Sequence, residues 1–148
     1  MRRVLALATL AVLTPAAAKA QCSITVKPVS FGTYLPISSV PADSTGTVTI
    51  GCHLFFGPYA VALNQGLFGR GNFDNRRMNA GSAYLSYQLY TNAARTLIWG
   101  DGIEGSQIAF GVCTGVCSAS YTIYGRIPAH QTVSPGSYAD TLTVTVVF

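Results

Sequence analysis

The last eight residues constrain the fold more than any other stretch. In Thr141-Leu-Thr-Val-Thr-Val-Val-Phe148, Leu142, Val144, Val146 and Phe148 fall on one side of an extended backbone. Thr141, Thr143 and Thr145 fall on the other, with Val147 breaking the polar set. Such alternation marks a half-buried strand, because successive side chains leave a pleated strand on opposite faces. The period recurs at residues 23–26, 47–50 and 83–90, with further strand candidates at 59–63, 96–99, 107–112 and 120–127. Helical periodicity is almost absent. The 15 Gly and 7 Pro interrupt the chain too often for long helices. Residues 40–46 read as a turn-rich loop, and residues 64–77, rich in Gly, Asn and Arg, as a long loop or irregular hairpin. Seven or eight short strands at this spacing predict an all-β chain folded as a two-sheet sandwich.

The N-terminus has a different character. Met1-Arg2-Arg3 precedes an apolar run from Val4 to Leu13, and Ala18-Lys19-Ala20 is a small-x-small cleavage site. Residues 1–20 therefore read as a removable export signal, too short to span a bilayer, which takes about 20 apolar residues. No later stretch reads as a membrane span. Removing 20 of 148 residues leaves 128, the size of one domain, residues 21–148. Of the nine Lys and Arg, three (Arg2, Arg3 and Lys19) lie in the leader. The remaining six face five acids, a net charge of +1, which gives no reason to expect nucleic-acid binding.

An exported chain with four cysteines predicts two disulfides. Three pairings are open, and Cys22–Cys52 with Cys113–Cys117 is preferred because Cys22 and Cys52 each sit in or beside strand-like sequence. A zinc site at Cys113-Thr-Gly-Val-Cys117 would need four ligands, and His53 and His130 are both remote in sequence.

Catalytic patterns are missing, and the chain is read as a non-enzyme without metal or cofactor. Gly100-Asp-Gly-Ile-Glu-Gly105 matches a dinucleotide-binding fingerprint by letter, but no helix follows it, so it reads as a tight turn. Asp101 and Glu104 in that turn read as solvated carboxylates. His53 and His130 have no nucleophile partner. The segment holding Phe68, Arg70, Phe73, Arg76 and Arg77 mixes cations with aromatics; it reads first as a solvated loop with an aromatic anchor, and second as a surface-contact loop for an anionic surface or polysaccharide.

Four sequence blocks resemble one family. Cys22 is answered by Thr47-Val-Thr-Ile-Gly-Cys52, and Phe31-Gly-Thr33 lies between them. Tyr87-Gln-Leu-Tyr-Thr-Asn-Ala-Ala-Arg-Thr96 is a tyrosine-rich strand and turn. Tyr124-Gly-Arg-Ile-Pro128 and Gly136–Phe148 complete the match. Over the mature chain this resembles the spore coat protein U domain, which supplies the pilins of archaic chaperone–usher pili. The Cys113–Cys117 loop lies outside that pattern.

The resemblance implies an incomplete immunoglobulin-like sandwich lacking its last strand, completed by donor-strand complementation. Implied partners are a periplasmic chaperone, an outer-membrane usher and other pilus subunits. The implied place is the periplasm in transit, then the cell surface or a pilus. Leu142, Val144, Val146 and Phe148 are the expected acceptor-groove row. With only Gln21 ahead of Cys22, the mature chain is expected to accept a strand without donating one, as a tip or minor subunit would. A spore-coat or envelope protein and a stand-alone secreted adhesin domain are the competing expectations.

Overall fold

The computed structural model describes residues 20–148, so the expected export signal lies outside the described residues. The strands are β1 (Gln21–Lys27), β2 (Ala42–Leu63), β3 (Arg77–Ala80), β4 (Ala83–Ser86), β5 (Gln88–Tyr90), β6 (Ala109–Ile127) and β7 (Val144–Val147). A 3-10 turn, Phe73–Asn75, is capped by the Asn72 side chain, which accepts from the Asp74 amide. All pairings between these strands are antiparallel.

Two strands dominate. β2 has 22 residues and β6 has 19. They pair from Ala42 opposite Ile127 to Val61 opposite Ala109. A straight strand of 22 residues would run about 70 Å, roughly twice the diameter of a domain this size. The ribbon therefore has to bend. Its register shifts between Cys52 and Phe55, where His53 and Leu54 oppose Val116 alone. Leu54 takes a left-handed φ of 58° there. One extra residue in one strand is a β-bulge, which kinks and twists the pair.

The inward row of β2 is buried on both sides of this bulge: Val48, Ile50 and Cys52 before it, Tyr59, Val61 and Leu63 after it. All six belong to one core, shared with Leu85, Leu89, Trp99, Ile123 and Ile127. The two halves of the ribbon thus wrap a common interior. β1 flanks the first half of β2, with Ile24 opposite Ile50 and Val26 opposite Val48. β7 flanks the second half, with Val146 opposite Val61. β5 lies on the far side of β6, and β3 and β4 form a separate hairpin.

Several expected boundaries move. Residues 42–46, expected as a loop, begin β2. Pro41, Asp43, Ser44 and Gly46 favour turns locally, but pairing with β6 overrides them. Asp43 faces Arg126 across the strands, and a Cβ on Gly46 would stand 2.6 Å from the Lys27 carbonyl oxygen. The candidates at 47–50 and 59–63 fuse into β2, and those at 107–112 and 120–127 into β6. The candidate at 83–90 splits into β4 and β5, because its first half pairs with β3 and its second half with β6; between them the Tyr87 amide extends the β3–β4 ladder by donating to the Arg76 carbonyl at 3.1 Å. Residues 96–99 make isolated bridges, Tyr90 to Ile98 and Trp99 to Gln107.

Candidate functional groove

An apolar groove of about 970 Å³ opens at one side of the core. One wall is Val26 and the segment after β1, with Val29, Phe31 and Tyr34; the other is the chain from Val133 to Val144. Leu63, Leu85, Leu89, Ile123 and Ile127 form its floor. Tyr34 fastens the first wall by donating its hydroxyl to the Pro128 carbonyl at 3.0 Å and accepting from the Gln131 amide at 2.9 Å. Asp140 fastens the second. It accepts from the Leu67 amide at 2.9 Å and from the Tyr87 hydroxyl at 2.7 Å. Burial pushes the Tyr87 phenol well above its ordinary range, and the hydrogen bond it donates to Asp140 pushes it further.

Among the described residues nothing covers the flank beside this groove. β1 is the terminal strand of its sheet and β7 pairs with β2 alone. Ile24 and Val26 are each 44% exposed, although they share the inward face with Ile50 and Val48, which are fully buried. One strand spacing, under 5 Å, separates complete burial from large exposure. Apolar side chains beside unpaired strand edges present the template that another extended chain can join.

The expected groove row divides in two. Leu142 and Val144 line the groove. Val146 packs half-buried against the core, and Phe148 lies with its ring 5.0 Å from that of Phe55, outside the groove lining.

Both disulfides form with the preferred pairing. Cys22 and Cys52 are directly paired residues of β1 and β2, with Cα atoms 4.1 Å apart. Cys113 and Cys117 belong to the same strand, and their Cα atoms are 5.6 Å apart. Four residues of straight strand would span about 13 Å, so this bridge closes a tight kink. The kink sits opposite the bulge in β2, with Gly115 at φ 114° inside it. Bulge and disulfide are the two sides of one bend.

The expected surface-contact loop is largely interior. Phe73 is 6% exposed and Arg76 is fully buried, so neither can meet a surface. The Arg76 guanidinium donates to the Asn64 carbonyl at 2.7 Å, the Trp99 carbonyl at 2.7 Å and Gln88 Oε1 at 2.8 Å. Gln88 passes the network to the Phe73 carbonyl at 2.7 Å. Burial lowers the Arg76 pKa to about 10, and it stays charged at neutral pH. Arg77 lies over the Tyr84 ring at 4.8 Å and donates to the Phe68 carbonyl; Phe68 is half-buried against the same ring. Arg70 is exposed. Sequence alone favoured a solvated reading of Arg76 because three arginines crowd a Gly- and Asn-rich segment. No local signal points the other way, because the alternation at 83–90 sets Gln88 on the face it shares with Tyr84 and Ser86, which are exposed.

Elsewhere, residues 100–105 form the expected turn. Asp101 Oδ1 accepts from the Ile103 amide, and Ser106 Oγ accepts from the Asp101 and Gly102 amides. Asp101 and Glu104 are exposed. His53 stands at the bulge and His130 in a loop, both exposed. Among the described residues there is no group of three or more His, Cys, Asp or Glu that could hold a metal ion. Nor is any helix there long and apolar enough to cross a membrane.

Fold and groove together define an antiparallel β domain, stapled by disulfides and open along one flank. The chain belongs to the Spore Coat Protein U domain family, whose model matches residues 6–145. It is 32% identical over 131 residues to Protein U of Myxococcus xanthus, covering 81% of this chain and 71% of that protein. Among solved structures it resembles the CsuC–CsuE chaperone–tip adhesion subunit pre-assembly complex from the archaic chaperone–usher Csu pili of Acinetobacter baumannii. That match has a TM-score of 0.61 at 27% identity and covers 87% of this chain. The chain spans 40% of the length of that solved chain.

Proposed function

We propose that this protein is a pilus subunit of the archaic chaperone–usher type, whose groove accepts an extended donor strand. A periplasmic chaperone supplies that strand first and a neighbouring subunit replaces it at an outer-membrane usher. The observation that carries the reading is the uncovered flank: Ile24 and Val26 exposed beside fully buried Ile50 and Val48, with unpaired edges on β1 and β7. Strand addition supplies main-chain hydrogen bonds to an edge and side chains to pockets, and this groove offers both. Each large donor side chain buried contributes roughly 1.5–3 kcal/mol. Several together rival the whole stability of a small domain, about 5–15 kcal/mol. The empty subunit is therefore weakly stable and prone to associate through its edges.

Export to the periplasm and display at the surface rest on the leader-like residues 1–20 and on the two disulfides, which form and persist in oxidising compartments. A place at the fibre tip is supported by the likeness to a tip adhesion subunit. A coat role is the second reading, favoured by the identity to Protein U.

Capture of a synthetic strand tests the proposal. A peptide of alternating large apolar residues should bind one-to-one and raise the melting temperature. Val144→Asp places a charge in the groove lining and should abolish capture, while Thr143→Asp, on the opposite face, should spare it. Indifference to Val144→Asp with loss in Thr143→Asp would refute the proposed row. A tip subunit alone, released from its chaperone, should give no SDS-resistant ladder on unboiled gels.

A further inference from the structure

The outer faces of the β2–β6 ribbon differ on the two sides of the bulge. Before it the outer face is polar. Thr47 stands opposite Thr122 and Thr49 opposite Ser120, and the Thr49 and Ser120 hydroxyls are 2.9 Å apart. Beyond the bulge the same face carries Phe56, Pro58, Phe110 and Val112, joined by Val147 of β7. The register sets Val147, Ala60 and Phe110 in one row and Pro58 opposite Val112 in the next. Phe56 is 73% exposed, Phe110 and Val112 70% and Val147 58%. None of these residues lines the groove. The patch is on the order of 500 Å², near the top of the 300–600 Å² usual for a monomer's largest apolar patch.

The segments that build it are also uncharged. Residues 54–69, 106–125 and 141–148 contain no Asp, Glu, Lys or Arg. A charged partner would lose hydration here with nothing to pair against. A lipid surface is a poor match too, because interfacial binders set Lys and Arg beside their apolar residues.

We propose that this face is a self-association surface through which two copies of the chain pack sheet against sheet. A pleated face stacks on a like face at about 10 Å. A two-fold axis brings one patch onto itself, so each copy supplies the uncharged partner the other needs. With the adjoining Ala60, Ala62, Thr114 and Thr145 the face approaches the roughly 800 Å² per partner of a standard interface. This contact is separate from the groove and joins subunits side by side rather than end to end.

Sedimentation velocity of the mature protein over a concentration series tests it, with the groove saturated by the synthetic strand so that open edges do not aggregate. A monomer–dimer equilibrium is expected. Phe110→Glu and Val112→Lys, both on exposed outer positions, should each weaken it at least tenfold. Thr49→Glu, on the polar half of the ribbon, should leave it unchanged. Peptide capture, measured in parallel, should persist in all three variants and reports on the groove alone. If the peptide fails to bind, the groove reading falls, and sedimentation of the peptide-free variants still decides this one. A protein monomeric at every concentration would overturn the proposal. So would a dimer indifferent to both Phe110→Glu and Val112→Lys. A monomer held on octyl-coated beads through Phe110 would also overturn it, and would assign the face to a foreign apolar surface.

Discussion

The two halves of the β2–β6 ribbon consist of the same two strands and are finished in opposite ways. In the half before the bulge the outside is a row of Thr and Ser, while the inside runs out to β1, where Ile24 and Val26 are partly bare. In the half beyond it the inside is closed. Trp99 is buried and donates its indole N–H to the Val61 carbonyl at 2.9 Å. Arg76 ties the Trp99 and Asn64 carbonyls together behind it. Here the outside is apolar instead. Each half thus leaves hydrophobic surface for something else to cover, on opposite faces of one ribbon. Alternation in a strand fixes which residues share a face; the neighbours on each side of the bend decide which face stays open.

The sharpest way to break this comparison is to remove the polar closure. Arg76→Met orphans the Trp99 and Asn64 carbonyls, while Gln88 Oε1 keeps the Leu89 amide, and each orphaned group costs about 1–3 kcal/mol. The variant should lose at least about 2 kcal/mol in urea denaturation. Arg76→Lys should recover less than half, because an ammonium cannot reproduce the planar fork of donors. The matching deletion on the open flank, Val26→Ala, should cost under about 1 kcal/mol in the empty subunit, since the side chain is already 44% exposed. Equal losses at the two sites would contradict the open-flank description.

A smaller contrast concerns the two staples. Cys22–Cys52 spans 30 residues and anchors the terminal strand. In the chain-entropy model its removal by paired Cys→Ala changes should cost about 3–4 kcal/mol. Cys113–Cys117 spans 4 residues, and its removal should cost about 2 kcal/mol. Hydrogen exchange should place the effect of the first along β1 and that of the second at the kink. If the second proved the costlier, the bend would depend on the disulfide rather than on the bulge.

The smallest effect belongs to the polar start of the ribbon. Asp43 accepts two hydrogen bonds from Arg126 at 2.7 and 2.8 Å, with Arg95 3.3 Å away. The Arg126 hydrogen bonds hold its carboxyl below the usual carboxylate value. A folded pKa below the unfolded one gives stability that is present above the unfolded value near 4 and is lost as pH falls through the folded value. The site is solvent-accessible, so Asp43→Asn should change stability by less than about 1 kcal/mol at pH 7. The difference from the parent should shrink as the pH falls below about 4, and a difference that grew on acidification would reverse this assignment.

Much of this was legible in the sequence. The inward residues Val48, Ile50, Leu85, Leu89 and Val144 follow from period two, and the disulfide partners from strand-like flanks. The lengths of β2 and β6 were not legible, because residues 42–46 have turn composition and Gly57 and Gly115 interrupt the pattern at the bend. Phe73 and Arg76 were misplaced because residue type near a Gly-rich loop points to solvent, whereas burial of a cation depends on carbonyls that only the folded chain assembles.

The sequence by itself determined an all-β chain, its alternating faces and its two disulfides, since backbone geometry and loop spacing act over a few residues. Only the tertiary structure decided that four expected strands are two, that one arginine is internal, and that Ile24 and Val26 remain uncovered. Burial is a property of what arrives from elsewhere in the chain. Leu142 and Val144 reach the same groove as Val26 from the opposite end of the sequence, and no local pattern records which distant wall stands across from them or whether a strand fills the space between.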